Sequence, residues 1–469
     1  MLSHGCGPMP YIPNAQERWV RDQVNAGRTA DLPAGFPREP NMRVLRGEFI
    51  EALLCETVLL PKVRPPRGHI SIKNARINGR INLDGAELAH ELTLSHCELP
   101  DGFSGRRSIW GKPLTILGGV FGEVDFEGAD FRDTLVADSG TFRGPVCLTT
   151  VRCRRKLSFE RSEFQDPSGR VACESMSVEG DAYFTNVKMS GPVSFARSQF
   201  TGMVDLYRAQ FLDPNSETSF AGVSVGGDFG VREAVFSGGV TWYGASIAGD
   251  LVATGCTFGS GQGRTSFRMA SIGGTVDFKQ ATFVGAYDLG GMEYKDMVRD
   301  EGDDRWGSII ELLSAAQYAP EAYARLVEHL HRLGCPAEAN RVYIESKRRE
   351  RRECTRWGEK GLNWVFDVTI RYGRDHWRAF WIWLIIVFSG MVVFRKKNMI
   401  SRTSGGAGLK YCALWYSLDL CLPVVNLQMK ADWMPKQRCC LVRYWLLLHL
   451  LLGWFFLTVW LLGLTGVIK

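Results

Sequence analysis

Recognisable catalytic and metal-binding signatures are scarce in this 469-residue chain. Its 13 cysteines are scattered, with no CxxC pair and no Cys/His cluster at zinc spacing, which excludes a structural zinc site. No GxGxxG follows a strand, and neither a GxxxxGKS/T nor an HExxH run occurs, so dinucleotide, P-loop and zincin chemistry lack their usual residues. The opening stretch, MLSHGCGPMPYIPNAQERWVRD, has no basic segment followed by an apolar one. No secretory signal is expected, and the thiols are expected free in a reducing cytoplasm. Cys439 and Cys440 read as small residues beside a hydrophobic span. The eight histidines do not group; His329 and His331 fall on different helix faces, where solvent is expected to take both. Catalytic residues, cofactors and metal ligands are therefore all assigned as none.

Charge of either sign is modest, 56 Lys/Arg against 50 Asp/Glu for a net +6, but it is unevenly spread. Arg341 to Lys410 holds 16 Lys/Arg against 6 Asp/Glu, which leaves the rest of the chain net acidic. This is a local basic device and not a uniformly basic surface, so no nucleic-acid partner is expected. Glycine is plentiful, at 51 residues, and points to many turns in a β-rich repeat.

The C-terminal fifth, 377–469, reads as a membrane domain. Residues 444–468 carry no Asp, Glu, Lys or Arg and are long enough, at ~1.5 Å per residue, to cross ~30 Å of hydrocarbon. Residues 379–394 form a shorter second span, with Trp377, Trp381 and Trp383 expected at the interface and Arg378 snorkelling. Between them, 411–427 is apolar but contains Asp419 and Pro423, so it reads as a re-entrant segment or a third span. The re-entrant form leaves nine Lys/Arg from Arg395 to Arg443 on the far side, against the usual charge bias. Asp419 is the candidate intramembrane polar site, with Tyr416, Ser417 and Asn426 able to share its hydrogen bonds. The run PVVNLQMK that follows lacks a potassium-type filter. Upstream, Lys347, Arg348, Arg349, Arg351, Arg352 and Arg356 form a basic cluster expected to face anionic lipid headgroups. It places the N-terminal region in the cytoplasm and the chain, as a multi-pass protein, in the inner membrane.

From about His69 to Ala286 a small–x–apolar pair recurs every 11 residues, as in Ala129/Phe131, Gly140/Phe142 and Val151/Cys153, with Val124/Phe126 and Val146/Leu148 between. Residues two apart lie on opposite faces of a helix, so only short strands separated by tight turns satisfy the pattern. Two 11-residue units per turn give about ten stacked coils. Insertions near Pro167–Arg170, Pro214–Glu217 and Ser260–Gly263 are expected on one edge, where they mark either a binding side or tolerated loop growth. The run VFGEVDFEGADFRD, with Phe121, Phe126 and Phe131 five apart, resembles the pentapeptide-repeat family. That resemblance implies a mainly β fold, a right-handed quadrilateral parallel β-helix over 69–286.

Residues 1–68 read as an N-terminal helical cap, with an Asn14-x-x-Glu17 capping box and an amphipathic helix over Arg43–Leu54. After the rod, 301–376 reads as a helical linker, with helices over Ser308–Gln317, Pro320–Leu333 and Ala337–Arg352. Their hairpin is expected to pack on the last coil. In order, RGEFIEALL, YAPEAYARLVEHLHRLGCPAEANRVYIESKRRERR, RYGRDHWRAFWIW and WYSLDLCLPVVNL resemble a bacterial family of pentapeptide-like membrane proteins labelled membrane-associated oxidoreductases. The label implies redox activity. The residues themselves point to a membrane-anchored cytoplasmic scaffold for an unknown protein partner, with an oligomeric pore regulated by the rod as the alternative.

Overall fold

The computed structural model describes residues 11–37, 40–55, 68–259, 263–299, 302, 306–402, 410–422, 426–436 and 440–464. Pro423, Cys439, residues 260–262 and the last residues of the 444–468 span lie outside them. Two compact units are present, Met1–Arg325 and Leu326–Lys469.

The first unit is a parallel β-solenoid. Its strands are mostly two residues long, and each turn contributes four of them, as in Leu135–Asp138, Thr141–Phe142, Val146–Cys147 and Arg152–Cys153. Each strand pairs in parallel with its equivalent one turn later, Val124 with Val146 and Asp130 with Arg152. One ladder holds ten such strands, from Ile81–Asn82 to Tyr287–Asp288. Along it the step lengthens at Val146↔Val171, Ser194↔Ser219 and Val240↔Thr265. The insertions at Pro167–Arg170 and Pro214–Glu217 therefore leave the rod at the same corner, just before this ladder; the third lies largely outside the described residues, between Gly259 and Gly263.

Why an 11-residue unit closes a corner is visible in the backbone. Gly85, Arg107, Gly128, Thr150, Ser175, Arg197, Gly222, Gly244, Met269 and Gly291 lie one above another, all with φ between 53° and 70°. A second column of left-handed residues runs from Asn74 through Ser139 and Arg208 to Gln280. Most of them turn the chain so that the next residue, such as Ala129, Val151 or Ala245, points inward and is buried. Glycine meets this geometry at no steric cost, which accounts for its excess; Thr150, β-branched, does not. Stacked rings fill the core. Phe195, Phe220, Trp242 and Phe267 form one column with centroids 5.2, 5.1 and 4.6 Å apart.

The cap is more than helical. α1 (Ala15–Asn25) opens with the expected capping box, and α2 (Leu32–Gly35) follows. The helix expected over Arg43–Leu54 is shorter: Val44–Arg46 is a strand, parallel to Arg76–Asn78, and only Gly47–Leu54 (α3) is helical. Pairing with the first coil and burial of Leu45 override the local helix pattern. α3 buries Phe49, Ile50, Leu53 and Leu54 over the open end of the rod. Glu17, fully buried, accepts from Arg46 Nη2 at 2.6 Å and Nε at 2.9 Å, tying α1 to this strand. At the other end α4 (Gly307–Ala315) sits on the last coil, where Tyr287 Oη donates to Leu312 O at 2.6 Å.

α5 (Pro320–Arg332) leads into the second unit. There follow α6 (Pro336–Glu353), α7 (Trp357–Ile370), α8 (His376–Val393), α9 (Ala413–Cys421), α10 (Met429–Asp432) and α11 (Cys440–Leu464). His329 corrects the sequence reading: it is buried on the α5 face that carries Leu326 and Leu330, whereas His331 is exposed. α8 and α11 run antiparallel, with Phe380 against Trp460 at one end (4.9 Å) and Phe394 against His449 nearer the other (5.4 Å). Among the described residues one helix, over Val442–Leu462, is by itself long and apolar enough to cross a membrane. Residues 377–393 pass the same test only together with 357–373, from which they bend by 116°.

Candidate functional site

α9 is nine residues long, about 14 Å at 1.5 Å per residue, half of what a bilayer crossing requires. The strand before it, Met399–Ser401, pairs antiparallel with the strand after it, Trp433–Pro435, so the chain enters and leaves at one end of the α8/α11 pair. Among the described residues, α9 is therefore not a helix that runs the length of that pair.

Asp419 fixes the return. Its side chain is 1 % exposed; Oδ1 accepts the Leu427 N–H at 2.8 Å and Oδ2 the Lys430 N–H at 2.7 Å. Lys430 Nζ lies 3.9 Å away. The partners anticipated from the sequence are different. Asn426 is exposed and accepts from the Gln428 N–H, and Tyr416 packs edge-on against Phe394. Ser417 points the other way, donating to Val387 O of α8 at 2.8 Å and meeting His449 Nε2 of α11 at 3.0 Å. Backbone amides eight and eleven residues beyond Asp419 leave no signal in the sequence, whereas the polar side chains beside it do.

His449 was missed. It lies inside YWLLLHLLL, and its one sequence cue was a lone polar ring in an otherwise charge-free run. The ring is fully buried; Nε2 faces both Ser417 Oγ and Cys421 Sγ, the latter at 3.2 Å, and Nδ1 has no partner among the described residues. A Ser–His or Cys–His pair suggests nucleophilic chemistry, but all three side chains are sealed among helices and no carboxylate orients the ring. The cluster acts as a polar lock joining α8, α9 and α11. Gly390 makes room for it: a Cβ there would lie 2.3 Å from Ser417 Oγ and 2.6 Å from His449 Cε1.

The basic cluster is largely paired. Arg348 holds Asp367 of α7 with a two-pronged grip, Nε and Nη2 each at 3.1 Å, and Arg351 Nη1 adds a third contact at 3.1 Å. Burial would raise the Asp367 carboxyl, but the two guanidiniums outweigh it and hold the group below the usual carboxylate range. Lys347 pairs with Glu350, Arg352 with Glu345 and Arg356 with Glu359. The cluster thus clamps α6 to α7, and its unpaired charge is smaller than the sequence count. Trp383, expected at an interface, is buried, whereas Trp377 and Trp381 are exposed.

On the rod, GVSVG at Gly222–Gly226 has the GxSxG spacing of a nucleophile elbow, but Ser224 sits in a solenoid strand with no helix after it. Asp125 and Asp277 accept the N–H two residues on and brace turns. Burial pushes the Cys97 thiol up to about 11, which makes it a poor nucleophile. Among the described residues no three His, Cys, Asp or Glu side chains come together to hold a metal. No protein-family model, curated protein or solved structure matches this chain, so the pentapeptide-repeat likeness rests on its residues alone.

Proposed function

We propose that the protein is a membrane-tethered scaffold: a right-handed, four-sided β-helix in the cytoplasm that presents its long surface to a protein partner. It is held at the inner membrane by α8 and α11 with the 411–427 segment re-entrant between them. The observation that carries this reading is the exposed apolar surface of the second unit. Only 22 % of the Val442–Leu462 span is buried, and Leu447, Leu451, Trp454 and Phe455 face outward. In water such a surface would drive aggregation; in lipid it is solvated. The 116° bend after α7 sets that helix near the membrane plane if α8 crosses it, with Trp357, Gly361, Trp364 and Val368 as its exposed stripe. Anionic headgroups then meet the remaining charge of the 347–356 cluster.

The rod supports the scaffold role by its regularity and by the insertions gathered at one corner, the side on which a partner is proposed to dock. Asp419, on which a pore reading depends, has both oxygens taken by backbone N–H groups, which favours an anchoring role. Deleting Ala379–Lys469 should release a monodisperse, β-rich protein that melts cooperatively. An aggregated, unfolded product would refute the tether-plus-rod division.

A further inference from the structure

Within the second unit a cavity of about 700 Å³ opens beside the re-entrant turn. Arg402, Lys430 and Arg443 line it, together with Tyr416, Leu420, Leu446 and Leu447. No Asp or Glu lines it, and neither Arg402 nor Arg443 has a carboxylate within 4.0 Å among the described residues; Lys430 Nζ is 3.9 Å from Asp419. Two unpaired guanidiniums above a hydrocarbon floor match an amphiphile with an anionic oxyacid head, because guanidinium forks fit phosphate oxygens. The place agrees: Arg443 and Tyr444 open the apolar helix α11, and Trp433 completes an aromatic, headgroup-level collar.

We infer that this cavity is a phosphate-recognising site for an anionic glycerophospholipid, the phosphodiester held by Arg402 and Arg443 and an acyl chain lying along Leu446 and Leu447. The inference rests on the membrane reading above. It also gives a use to cations that lie on the far side of the membrane against the usual charge bias. Free phosphate shares the head chemistry but has nothing for the apolar floor.

Calorimetric titration of the full-length protein in neutral detergent tests it, with dihexanoyl phosphatidylglycerol, dihexanoyl phosphatidylcholine and inorganic phosphate as probes. Phosphatidylglycerol should bind at least about tenfold more tightly than either other probe, the equivalent of ~1.4 kcal/mol. The R402Q/R443Q variant should lose that preference. Equal binding of the two lipids, or an unchanged preference in a folded R402Q/R443Q protein, overturns the site; phosphate binding as tightly as phosphatidylglycerol overturns the lipid assignment. Should the variant misfold, the wild type decides: phosphatidylglycerol binding must weaken as salt rises, and salt-independent binding overturns the proposal. Flotation with pure phosphatidylcholine vesicles reads anchoring separately. A chain that floats without headgroup preference refutes the cavity site and leaves the tether standing.

Discussion

The carboxylate of Asp419 reaches forward eight residues to take the backbone N–H of Leu427 at 2.8 Å, closing the turn by which α9 leaves the α8/α11 pair. With the second bond, to the Lys430 N–H, it takes two part-buried backbone donors of the returning segment.

Asp419→Ala should therefore destabilise the second unit by about 1–3 kcal/mol, because two part-buried N–H groups lose a charged acceptor. Asp419→Asn, which keeps one carbonyl oxygen, should cost less. Melting in detergent, followed by protease sensitivity near Leu427, checks both, and the solenoid transition should not move.

The polar lock predicts a second order of severity. Ser417→Ala removes one hydrogen bond on each side of the hydroxyl and should cost about 1 kcal/mol. Gly390→Leu must displace both Ser417 and His449 and should cost more, with loss of α8/α11 packing seen as new cysteine reactivity at Cys421.

In the solenoid, Thr150 holds φ = 56° where its neighbour one turn back is Gly128. Thr150→Gly should stabilise the rod by up to about 1 kcal/mol, strain relief exceeding the entropy of the new glycine. Gly128→Val should destabilise it by about 1–2 kcal/mol for the same reason reversed. Chemical denaturation of the fragment lacking Ala379–Lys469 measures both.

The cap should loosen in acid. Burial would raise Glu17, but Arg46 and the Asn14 N–H hold it below the ordinary 4.5. A lowered carboxyl contributes stability that is fully present above 4.5 and disappears as pH falls through the folded value. Hydrogen exchange at Val20 and Val24 should accelerate over that window, and Glu17→Gln should be weaker at neutral pH with a flat profile below it.

The solenoid was legible because its signal is local: the 11-residue alternation of Ala129/Phe131 and its equivalents forces short strands wherever it occurs. The capping box at Asn14 and the helices after the rod were local as well. Strand Val44–Arg46 was not, since its partner Arg76–Asn78 lies beyond an intervening helix and cannot be seen in the residues themselves. The polar site was half legible. Asp419 stood out as costly in an apolar run, but its partners are backbone amides, and Ser417, expected beside it, meets a histidine 32 residues away that only helix packing brings close. The paired state of Arg348 and Arg351 was hidden for the same reason, because Asp367 comes from the next helix.

The central claim, that α8 and α11 anchor the chain in a bilayer with the rod on one side, is tested most directly in sealed inverted inner-membrane vesicles. After washing at high pH the full chain should stay in the membrane pellet, and added protease should digest the solenoid while sparing a fragment containing Met399–Pro435. Release of the intact chain into the wash, or protection of the solenoid, would contradict the account.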